Sequence, residues 1–372
     1  MPQALSPPRI ECYIGGRLLR DHRLVQEDLW VVNGKIAPPQ KRVDKEHSMR
    51  GKIIAPGYID LQINGAFGID FATSLAPLDD LVKKLNTQGV LNFLPTLISS
   101  PANHYRSWKS HYLNHPAVLG VHYEGPFLNP EKAGAHSRKI LLPITEEAVF
   151  EILDNVEGVK IVTVAPEIPN SLGLIAKLSS KGIVVAAGHS LASYEESTAA
   201  FKAGIKLVTH LFNAMTPIQH RHPGLAIAAL NHPTAYYSLI ADGVHVHPAM
   251  VKLAWEHKPG KAILITDAMA AMGLDEGLFR LGHQTVEVKG KEAHIAGSKK
   301  LAGSALQMDQ AVRNFKEMTG CSTVQALEAA TLRPAELLGI THRKGTLTLG
   351  ADADLIFLDE ELNVQGYSSH YK

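Results

Sequence analysis

The stretch IIAPGYIDLQINGAFGIDF, residues 53–71, begins as an apolar run and breaks at a glycine-rich turn. Short apolar runs of Ile, Leu and Tyr that end at glycine are typical of buried β-strands. The last polar side chains before the turn are the neutral amides of Gln62 and Asn64. The stretch therefore predicts a strand that carries two amides to its C-terminal end.

Seven later runs repeat this design, and each is a short string of apolar residues that ends in a polar one. They are VLNFLPT (90–96), VLGVHYEG (118–125), KIVTVAPE (160–167), GIVVAAGH (182–189), IKLVTH (205–210), YYSLIADG (236–243) and AILITD (262–267). Helix-like segments separate the runs, which predicts βα units around a parallel sheet. Eight such units predict the α/β class and a (β/α)8 TIM-like barrel, whose chemistry sits at the C-terminal strand ends.

The polar residues at the eight strand ends are predicted to meet on one rim of this barrel. They are Asn64, Thr96, Glu124, Glu167, His189, His210, Asp242 and Asp267. The intervening helices are predicted too, because Ser193 and Glu196 have capping-box spacing and the helical pattern ends at Gly204. One rim would therefore gather carboxylates and imidazoles.

The two ends of the chain have a different pattern, with short β-rich runs. Gly15-Gly16 and Asn33-Gly34 are hairpin signals near the beginning, and a second β-rich run starts at residue 344. We expect the two ends to share a sheet. The predicted division is a small composite β-sandwich domain, 1–56 plus 345–372, and the (β/α)8 barrel, 57–344.

The amino-acid composition and the net charge exclude some classes of function. The chain has 372 residues, 45% of them hydrophobic, and a formal net charge of +1, which argues against a general nucleic-acid or membrane-surface role. No apolar run is long enough to span a bilayer, and the first residues lack the pattern of a signal peptide. Cys12 and Cys321 have no metal-ligand or CxxC spacing, so they are predicted packing residues of a cytoplasmic protein.

Three rim residues suggest a metal site. A single histidine at a strand end is more often a structural residue than a ligand. Together, however, Glu124, His189 and His210 form a two-imidazole, one-carboxylate set that binds zinc and leaves a position open for water. Asp267, at the last strand end, is then expected to be the base, although an aspartate there could also cap a helix.

A set of motifs in fixed order resembles the amidohydrolase superfamily and, within it, the N-acetylglucosamine-6-phosphate deacetylase family. The motifs are APGYIDLQING, HYEGPFLNPEKAGAH, GHS at 188–190, THLFNAMTPIQHRHPG, ADGVHVHP, LITDAM, LAGS and KGTLTLGADADL. The resemblance covers nearly the whole chain. It implies hydrolysis of N-acetyl-D-glucosamine 6-phosphate to D-glucosamine 6-phosphate and acetate, in amino-sugar catabolism.

The resemblance also suggests why the first strand ends in two amides. Most superfamily members carry His-x-His there, and here Gln62 and Asn64 occupy those positions. Neutral amides bind transition metals poorly compared with imidazole. We therefore expect one divalent ion per subunit, held by Glu124, His189 and His210, with Gln62 and Asn64 beside it as supporting residues. Zinc is expected first, while Fe, Co and Mn stay open.

The implied mechanism has a metal-bound water attack the acetyl carbonyl, with Asp267 as general base and then as acid. His136 would stabilise the oxyanion; without the motif it would be read as an ordinary loop histidine. Further substrate contacts implied by the family are Ala135, Asn213, Ala214, Leu301, Ala302 and Gly303. Arg221 and His245 are expected to contact the phosphate from the neighbouring subunit of a homodimer, although Arg221 alone would be read as a solvated basic turn.

Three alternatives remain open at this point. The sugar could be another N-acetylhexosamine phosphate such as N-acetylgalactosamine 6-phosphate, because one hydroxyl epimer is decided by pocket details. The reaction could be that of a cyclic amidase or a deaminase, although those relatives generally use the His-x-His pair that is absent here. A non-enzymatic scaffold is the third, and the joint presence of the metal set, His136 and Asp267 counts against it.

Overall fold

Strands and helices alternate through most of the chain in this computed structural model, which describes residues 8–371. The strands are β1 Ile10–Ile14, β2 Arg17–Arg20, β3 Arg23–Gln26, β4 Leu29–Val32, β5 Lys35–Ala37, β6 Lys45–Ser48, β7 Ile53–Pro56, β8 Tyr58–Ile63, β9 Gly65–Ala66, β10 Ile69–Asp70, β11 Val90–Ile98, β12 Val121–Glu124, β13 Val159–Val164, β14 Val184–Ala187, β15 Ile205–Val208, β16 Tyr236–Leu239, β17 Ala262–Leu264, β18 Gly277–Leu281, β19 Gln284–Lys289, β20 Glu292–Ile295, β21 Leu355–Leu358 and β22 Val364–Ser368. The helices are α1 Asp79–Thr87, α2 Ala102–Tyr112, α3 Glu146–Leu153, α4 Ser171–Ser180, α5 Tyr194–Ala203, α6 Gly224–Asn231, α7 Pro248–His257, α8 Met308–Thr319, α9 Thr323–Glu328 and α10 Leu332–Leu338.

Eight parallel strands form the barrel, and they are the eight runs predicted from the sequence. Their order is β8, β11, β12, β13, β14, β15, β16, β17, so each strand pairs with the next along the chain. Every residue of β8 and β11 is buried, as expected where side chains on one side fill the barrel and helices cover the other. The barrel closes between its first strand, β8, and the segment just beyond its last strand, β17, where the Asp267 N–H donates to the Gln62 carbonyl at 2.9 Å. The predicted fold class is confirmed.

Helix α5 shows how the barrel sets the spacing of the site residues. Its predicted capping box is present: the Glu196 N–H donates to Ser193 Oγ at 3.1 Å, and the Ser193 N–H donates to Glu196 Oε2 at 2.8 Å. The helix ends at Gly204, whose φ of 129° suits glycine. Because α5 joins β14 to β15, it brings His189 and His210 to neighbouring strand ends.

The two chain ends form two further sheets, as predicted. One has the order β5-β4-β1-β6, and the other, β22-β21-β7-β2-β3, combines strands from both ends. The predicted hairpin at Asn33-Gly34 is present between β4 and β5, with both residues at positive φ. The predicted hairpin at Gly15-Gly16 was wrong, because β1 and β2 lie in different sheets. Glycine at position 16 instead permits close packing, since a Cβ there would lie 2.9 Å from Met49 Cβ.

A separate hydrophobic cluster fills the space between these sheets. Its members are Tyr13, Leu18, Leu29, Val31, Ile36, Met49, Ile54, Leu347, Ala351, Ala353, Leu355 and Phe357. All of them come from before residue 57 or after residue 344, which agrees with the proposed division into 1–56 plus 345–372 and 57–344. Residues 1–7 and 372 lie outside the described part, and the bounds themselves stay a prediction.

A buried ion cluster lies where the chain leaves the barrel. The ammonium of Lys344 is 3.0 Å from Asp352 Oδ2 and also pairs with Asp354, and all three side chains are at most 5% exposed. Burial alone would raise the pKa of Asp352, but hydrogen bonds from Lys35 and Lys344 lower that pKa to about 2. Both carboxylates therefore depend on the cation that they share.

Replacing this cation is expected to destabilise the protein. Lys344→Met should lower the free energy of unfolding by roughly 3–5 kcal/mol, because two buried carboxylates lose the one fully buried cation that they share, and Lys35 and His370 remain as partly exposed partners. Urea denaturation at neutral pH measures the loss. Lys289→Met is the matched control, since Lys289 pairs with Glu287 on the surface and should leave the urea midpoint nearly unchanged. Equal effects of the two substitutions would contradict the prediction.

A three-stranded antiparallel sheet, β18-β19-β20, was not predicted. Burial alternates along β18, with Leu278 and Arg280 exposed, so a search for continuous apolar runs passes over it. Its apolar side, including Leu281 and Val286, packs with Ile98 and Met269 near the C-terminal ends of the barrel strands.

Two further predictions concern the cysteines and the membrane. Cys12 and Cys321 are buried free thiols, as predicted. Within residues 8–371, no helix combines the length and apolarity needed to cross a membrane.

Candidate metal centre and active-site cavity

Five of the eight predicted rim residues, Asn64, Glu124, His189, His210 and Asp267, line one cavity at the C-terminal end of the barrel, whereas Thr96, Glu167 and Asp242 do not line it. Glu124 is the last residue of β12, and His189 and His210 follow β14 and β15 by two residues each. His189, His210 and Asp267 all have positive φ, at 50°, 33° and 47°. Left-handed backbone at a non-glycine residue costs energy and concentrates at functional sites. No helix begins directly after Asp267, so its alternative reading as a helix cap was wrong.

Three ligand atoms converge on one point. Glu124 Oε1 is 3.2 Å from His189 Nε2 and 3.1 Å from His210 Nε2, and the two nitrogens are 3.1 Å apart. Atoms bound at about 2.0–2.2 Å to one tetrahedral zinc ion lie roughly 3.3 Å from each other. The side chains are all less than 7% exposed. The donor set and its spacing thus fit a divalent cation.

The hydrogen bonds of His189 assign its proton and support a role as ligand. Its Nδ1 lies 2.8 Å from the carbonyl oxygen of Lys132, which can only accept, so Nδ1 carries the hydrogen. Burial lowers the pKa of His189, which favours the neutral ring. Nε2 then presents a lone pair toward Glu124, as a metal ligand must.

His136 joins the same cluster but has the opposite proton assignment. Its Nε2 is 3.5 Å from Glu124 Oε2, and with Glu124 and His189 it forms a compact group that could hold an ion. However, the Ser99 backbone N–H donates to His136 Nδ1 at 3.1 Å. The neutral ring therefore carries its hydrogen on Nε2, where it can donate a hydrogen bond but cannot bind a metal. This geometry favours the predicted role of His136 as a donor to an oxyanion.

The charge on Glu124 follows from its neighbours. Burial alone would raise its pKa, but the imidazoles of His136, His189 and His210 around its two oxygens hold that pKa well below its ordinary value. For His210, burial lowers the pKa while its hydrogen bond with Glu124 raises it, and the balance is a raised pKa. A charged carboxylate at the centre of three imidazoles is the arrangement expected at a cation site.

The amides of the first strand hold the two carboxylates in place. Gln62 Nε2 donates to Glu124 Oε1 at 2.9 Å and to Asp267 Oδ1 at 3.1 Å, and Asn64 Nδ2 donates to the same Asp267 oxygen at 2.8 Å. An amide N–H can hold a carboxylate by a hydrogen bond, and because the amide is neutral it adds no charge to the site. This is the physical reason for two neutral amides at the end of β8, and it agrees with their predicted supporting role.

Asp267 has a pKa suited to moving a proton near neutral pH. Burial and the charge of Glu124 raise its pKa to about 6, against the lowering effects of His210, His245 and Asn64. A base works best when its pKa is close to the operating pH. Both amide hydrogen bonds fall on Oδ1 and, among the described residues, none falls on Oδ2. Oδ2 is thus the oxygen that can accept a proton from a water molecule.

A cavity of about 270 Å³ opens above this cluster. It is lined by nearly all of the predicted site residues: Asn64, Glu124, Ala135, His136, His189, His210, Asn213, Ala214, His245, Asp267, Leu301, Ala302 and Gly303. Its size fits one monosaccharide rather than a polymer. Arg221 does not line it and is exposed, in an exposed segment that spans residues 217–222.

Residues 53–370 match the family model of the amidohydrolase family. A curated relative, N-acetylglucosamine-6-phosphate deacetylase of Danio rerio, is 42% identical to this chain over 98% of the chain and 96% of its own length. The chain belongs to the amidohydrolase family. The family resemblance predicted from the motifs is confirmed by both matches.

Other known proteins are similar over nearly the whole of this amidohydrolase. The N-acetylglucosamine-6-phosphate deacetylase structure from Thermotoga maritima matches with a TM-score of 0.88 and 33% identity, over 96% of this chain and 98% of that one. A mutant of the Mycobacterium smegmatis enzyme, solved in complex with N-acetyl-D-glucosamine-6-phosphate, matches with a TM-score of 0.88, 29% identity and 98% coverage of both chains. The N-acetylgalactosamine-6-phosphate deacetylase of Escherichia coli O157:H7 is 33% identical over 94% of this chain and 96% of its own length.

His245 lies in the cavity wall of its own chain. Its Nδ1 is 2.6 Å from Asp242 Oδ2, and the side chains of both residues are less than 10% exposed. The predicted action of His245 in a neighbouring subunit's site stays a prediction. In this amidohydrolase, Asp242 holds the His245 ring by Nδ1, so Nε2 is the nitrogen left to contact a substrate.

The cavity is also lined by residues that were not predicted as site residues. They are Ile98, Glu131, Lys132, Gly134, Ile240, Leu281 and Lys300. Lys132 and Lys300 add positive charge to the wall, and Glu131 adds negative charge. Lys132 lies within the motif HYEGPFLNPEKAGAH, residues 122–136, so its place could have been inferred from the sequence. Lys300 arrives on the turn after β20, and no signal in the sequence links that turn to the barrel rim.

Proposed function

We propose that this amidohydrolase hydrolyses N-acetyl-D-glucosamine 6-phosphate to D-glucosamine 6-phosphate and acetate, as a step of amino-sugar catabolism. The observation that carries the proposal is the convergence of Glu124, His189 and His210 beside Asp267, at the floor of a sugar-sized cavity. The relatives that match the full chain and carry this activity in their names support the choice of substrate.

The residues present fit the needs of amide hydrolysis. Glu124, His189 and His210 would hold one divalent cation, which when bound supplies Lewis acidity toward a water molecule and the acetyl carbonyl. Asp267 takes a proton from the attacking water as the C–O bond forms. It then returns that proton to the amine nitrogen as the C–N bond breaks, which gives the free amine and acetate. Gln62 and Asn64 keep the carboxylate of Asp267 oriented throughout.

His136 would stabilise the negative charge that develops on the carbonyl oxygen. Its Nδ1 accepts hydrogen bonds from the Ser99 N–H and hydroxyl, at 3.1 and 2.8 Å, so the ring orientation and the Nε2 hydrogen are set before the substrate binds. Donors fixed in advance are the effective ones, because they need no rearrangement during the reaction.

The remaining predicted contacts would bind the sugar. Asn213, Ala214, Ala135 and the segment 301–303 line the cavity wall and offer amide and backbone groups. Arg221 would contact the 6-phosphate of a neighbouring subunit's substrate in a homodimer. Its exposed position, outside the cavity of its own chain, supports a role across an interface.

The finer assignments form part of the same proposal. We propose zinc as the ion, with Fe, Co and Mn as the alternatives that this donor set also accepts. A cytoplasmic location is proposed on the two buried free thiols, Cys12 and Cys321, which suit a reducing compartment.

One alternative substrate deserves a direct test, because a relative named for N-acetylgalactosamine 6-phosphate is 33% identical to this chain. Acetate release should be measured for both sugar phosphates with the purified, metal-loaded protein. We expect a higher kcat/KM for the glucosamine derivative. A higher value for the galactosamine derivative would reverse the assignment, and no acetate from either, with one metal ion bound per chain, would reject it.

Lys300 is expected to contribute to phosphate binding from within the chain. The phosphate carries about −1.5 to −2 charges at pH 7, and Lys300 is an exposed cation of the cavity wall. Lys300→Ala should raise KM for the phosphorylated sugar roughly threefold to tenfold, with kcat changed less than about twofold. Lys299→Ala is the matched control, since Lys299 does not line the cavity, and an equal rise in KM there would contradict the prediction.

A further inference from the structure

The backbone of Asp267 is held in its left-handed conformation by bonds at both of its peptide groups. Its N–H donates to the Gln62 carbonyl at 2.9 Å, and its carbonyl accepts the Ser304 N–H at 2.9 Å. The φ of 47° is unfavourable for a residue other than glycine, though less so for aspartate than for most. Such a conformation persists only where the surroundings determine it.

Thr266, the preceding residue, is fixed by a buried carboxylate that the proposed reaction does not use. Asp60 lies on β8, with its side chain inside the barrel and 0% exposed. Its Oδ2 accepts the Thr266 hydroxyl at 2.5 Å, and its Oδ1 accepts the N–H groups of Gln62 and Thr266 at 3.2 and 3.3 Å. Asp60 therefore joins the first strand of the barrel to the segment that follows the last strand, at the residue directly before Asp267.

Ser304 makes a second attachment to the same segment from another side. Its hydroxyl donates to the Thr266 carbonyl at 2.6 Å and accepts the Leu306 N–H at 3.1 Å. Its N–H is the donor to Asp267 described above. Ser304 is 1% exposed, and it directly follows the cavity-lining residues 301–303.

These bonds replace a regular strand ladder. The last strand ends at Leu264, three residues before Asp267, and the backbone beyond it is held by the isolated parallel bridges of Ala268 with Ile63 and with Ser304. Neither Asp60, Thr266 nor Ser304 lines the cavity. The Asp60 carboxylate pairs with the Thr266 hydroxyl, and the three side chains otherwise bond to backbone groups at positions 62, 266, 268 and 306. The Ser304 backbone bonds to positions 267 and 269.

We propose that Asp60, Thr266 and Ser304 are positioning residues that clamp the backbone of Asp267 so that its carboxylate meets the reacting groups. The kinetic part of this inference rests on the proposed function, while the structural part does not. A displacement of about 1 Å at a reacting group can cost roughly a hundredfold in rate. Loosening the clamp should thus lower kcat while the sugar contacts, and with them KM, change little.

The test compares Thr266→Val with Thr266→Ser, since valine keeps the size of threonine and removes the hydroxyl, whereas serine keeps the hydroxyl. We expect Thr266→Val to lower kcat roughly tenfold to a hundredfold, with KM within about threefold and metal content unchanged. Thr266→Ser should stay within about threefold of the wild-type protein. Ser304→Ala breaks the clamp at a different point and should lower kcat by roughly tenfold. If Thr266→Val does not fold, the kcat of Ser304→Ala tests the clamp in its place.

Hydrogen exchange provides a measurement that needs no substrate. The Asp267 amide is bonded to Gln62, so peptides covering residues 265–269 should exchange at least about tenfold faster in Thr266→Val than in Thr266→Ser. Unchanged exchange together with kcat within about twofold in both clamp-breaking variants would overturn the proposal, as would a loss of kcat that follows metal loss. If the wild-type protein releases no acetate, the proposed function fails, and the exchange result alone then decides the clamp.

Discussion

Asp267→Asn is expected to lower kcat for the sugar phosphate by roughly two to four orders of magnitude. Asparagine retains the size of aspartate, but it cannot take a proton from water or return one to the amine. Asp267 Oδ1 already accepts two amide hydrogen bonds, so the substituted amide can keep an oxygen toward Gln62 and Asn64. We therefore expect the variant to fold and to retain its metal.

Acetate release at saturating substrate, with metal content measured on the same samples, checks this result. Asp275→Asn is a suitable control, because Asp275 lies in the same segment of the chain but is exposed and outside the cavity. It should leave kcat within about twofold of the wild-type value. An Asp267→Asn protein that holds its metal and keeps more than about a tenth of the activity would remove Asp267 from the role of base.

Glu124→Gln is the second large effect that we expect. Glu124 supplies the only negative charge among the three proposed ligands, and it also fixes His189 and His210 by contacts of 3.2 and 3.1 Å. A neutral amide is a weak ligand, so metal content should fall from about one ion per chain to a small fraction, with a loss of kcat of at least about a hundredfold.

Glu131→Gln separates the ligand role from a general effect of negative charge in the cavity. Glu131 also lines the cavity but lies outside the converging set of ligand atoms. Elemental analysis after dialysis should find wild-type metal content in Glu131→Gln and little metal in Glu124→Gln. Full metal content in Glu124→Gln would contradict the proposed ligand set.

Some of the site could be predicted because it depends on strand ends alone. Glu124, His189 and His210 each end an apolar run, and parallel strands around a barrel bring their C-terminal ends to one rim. Their convergence thus follows from counting strands, without knowing any contact. The role of His136 was different, since it lies in an irregular loop and only the family resemblance pointed to it.

Other features depended on contacts between distant parts of the chain. Whether His136 binds a metal or donates a hydrogen bond is decided by the Ser99 N–H, 37 residues away. His245 pairs with Asp242 and lines the cavity of its own chain, while its predicted action in a neighbouring subunit's site stays a prediction. Lys300 reaches the cavity only through the three-stranded sheet, whose alternating burial gave no strong signal in the sequence.

The sequence by itself determined the barrel, the capping of α5, the set of strand-end residues that we propose as ligands and the two amides at the end of β8. These features are local, because apolar periodicity, capping spacing and residue type act within a few positions. Only the tertiary structure decided the protonation of the imidazoles, the raised pKa of Asp267 and the clamp formed by Asp60, Thr266 and Ser304. Those properties arise from burial and from hydrogen bonds where the barrel closes and residues about 200 positions apart come into contact.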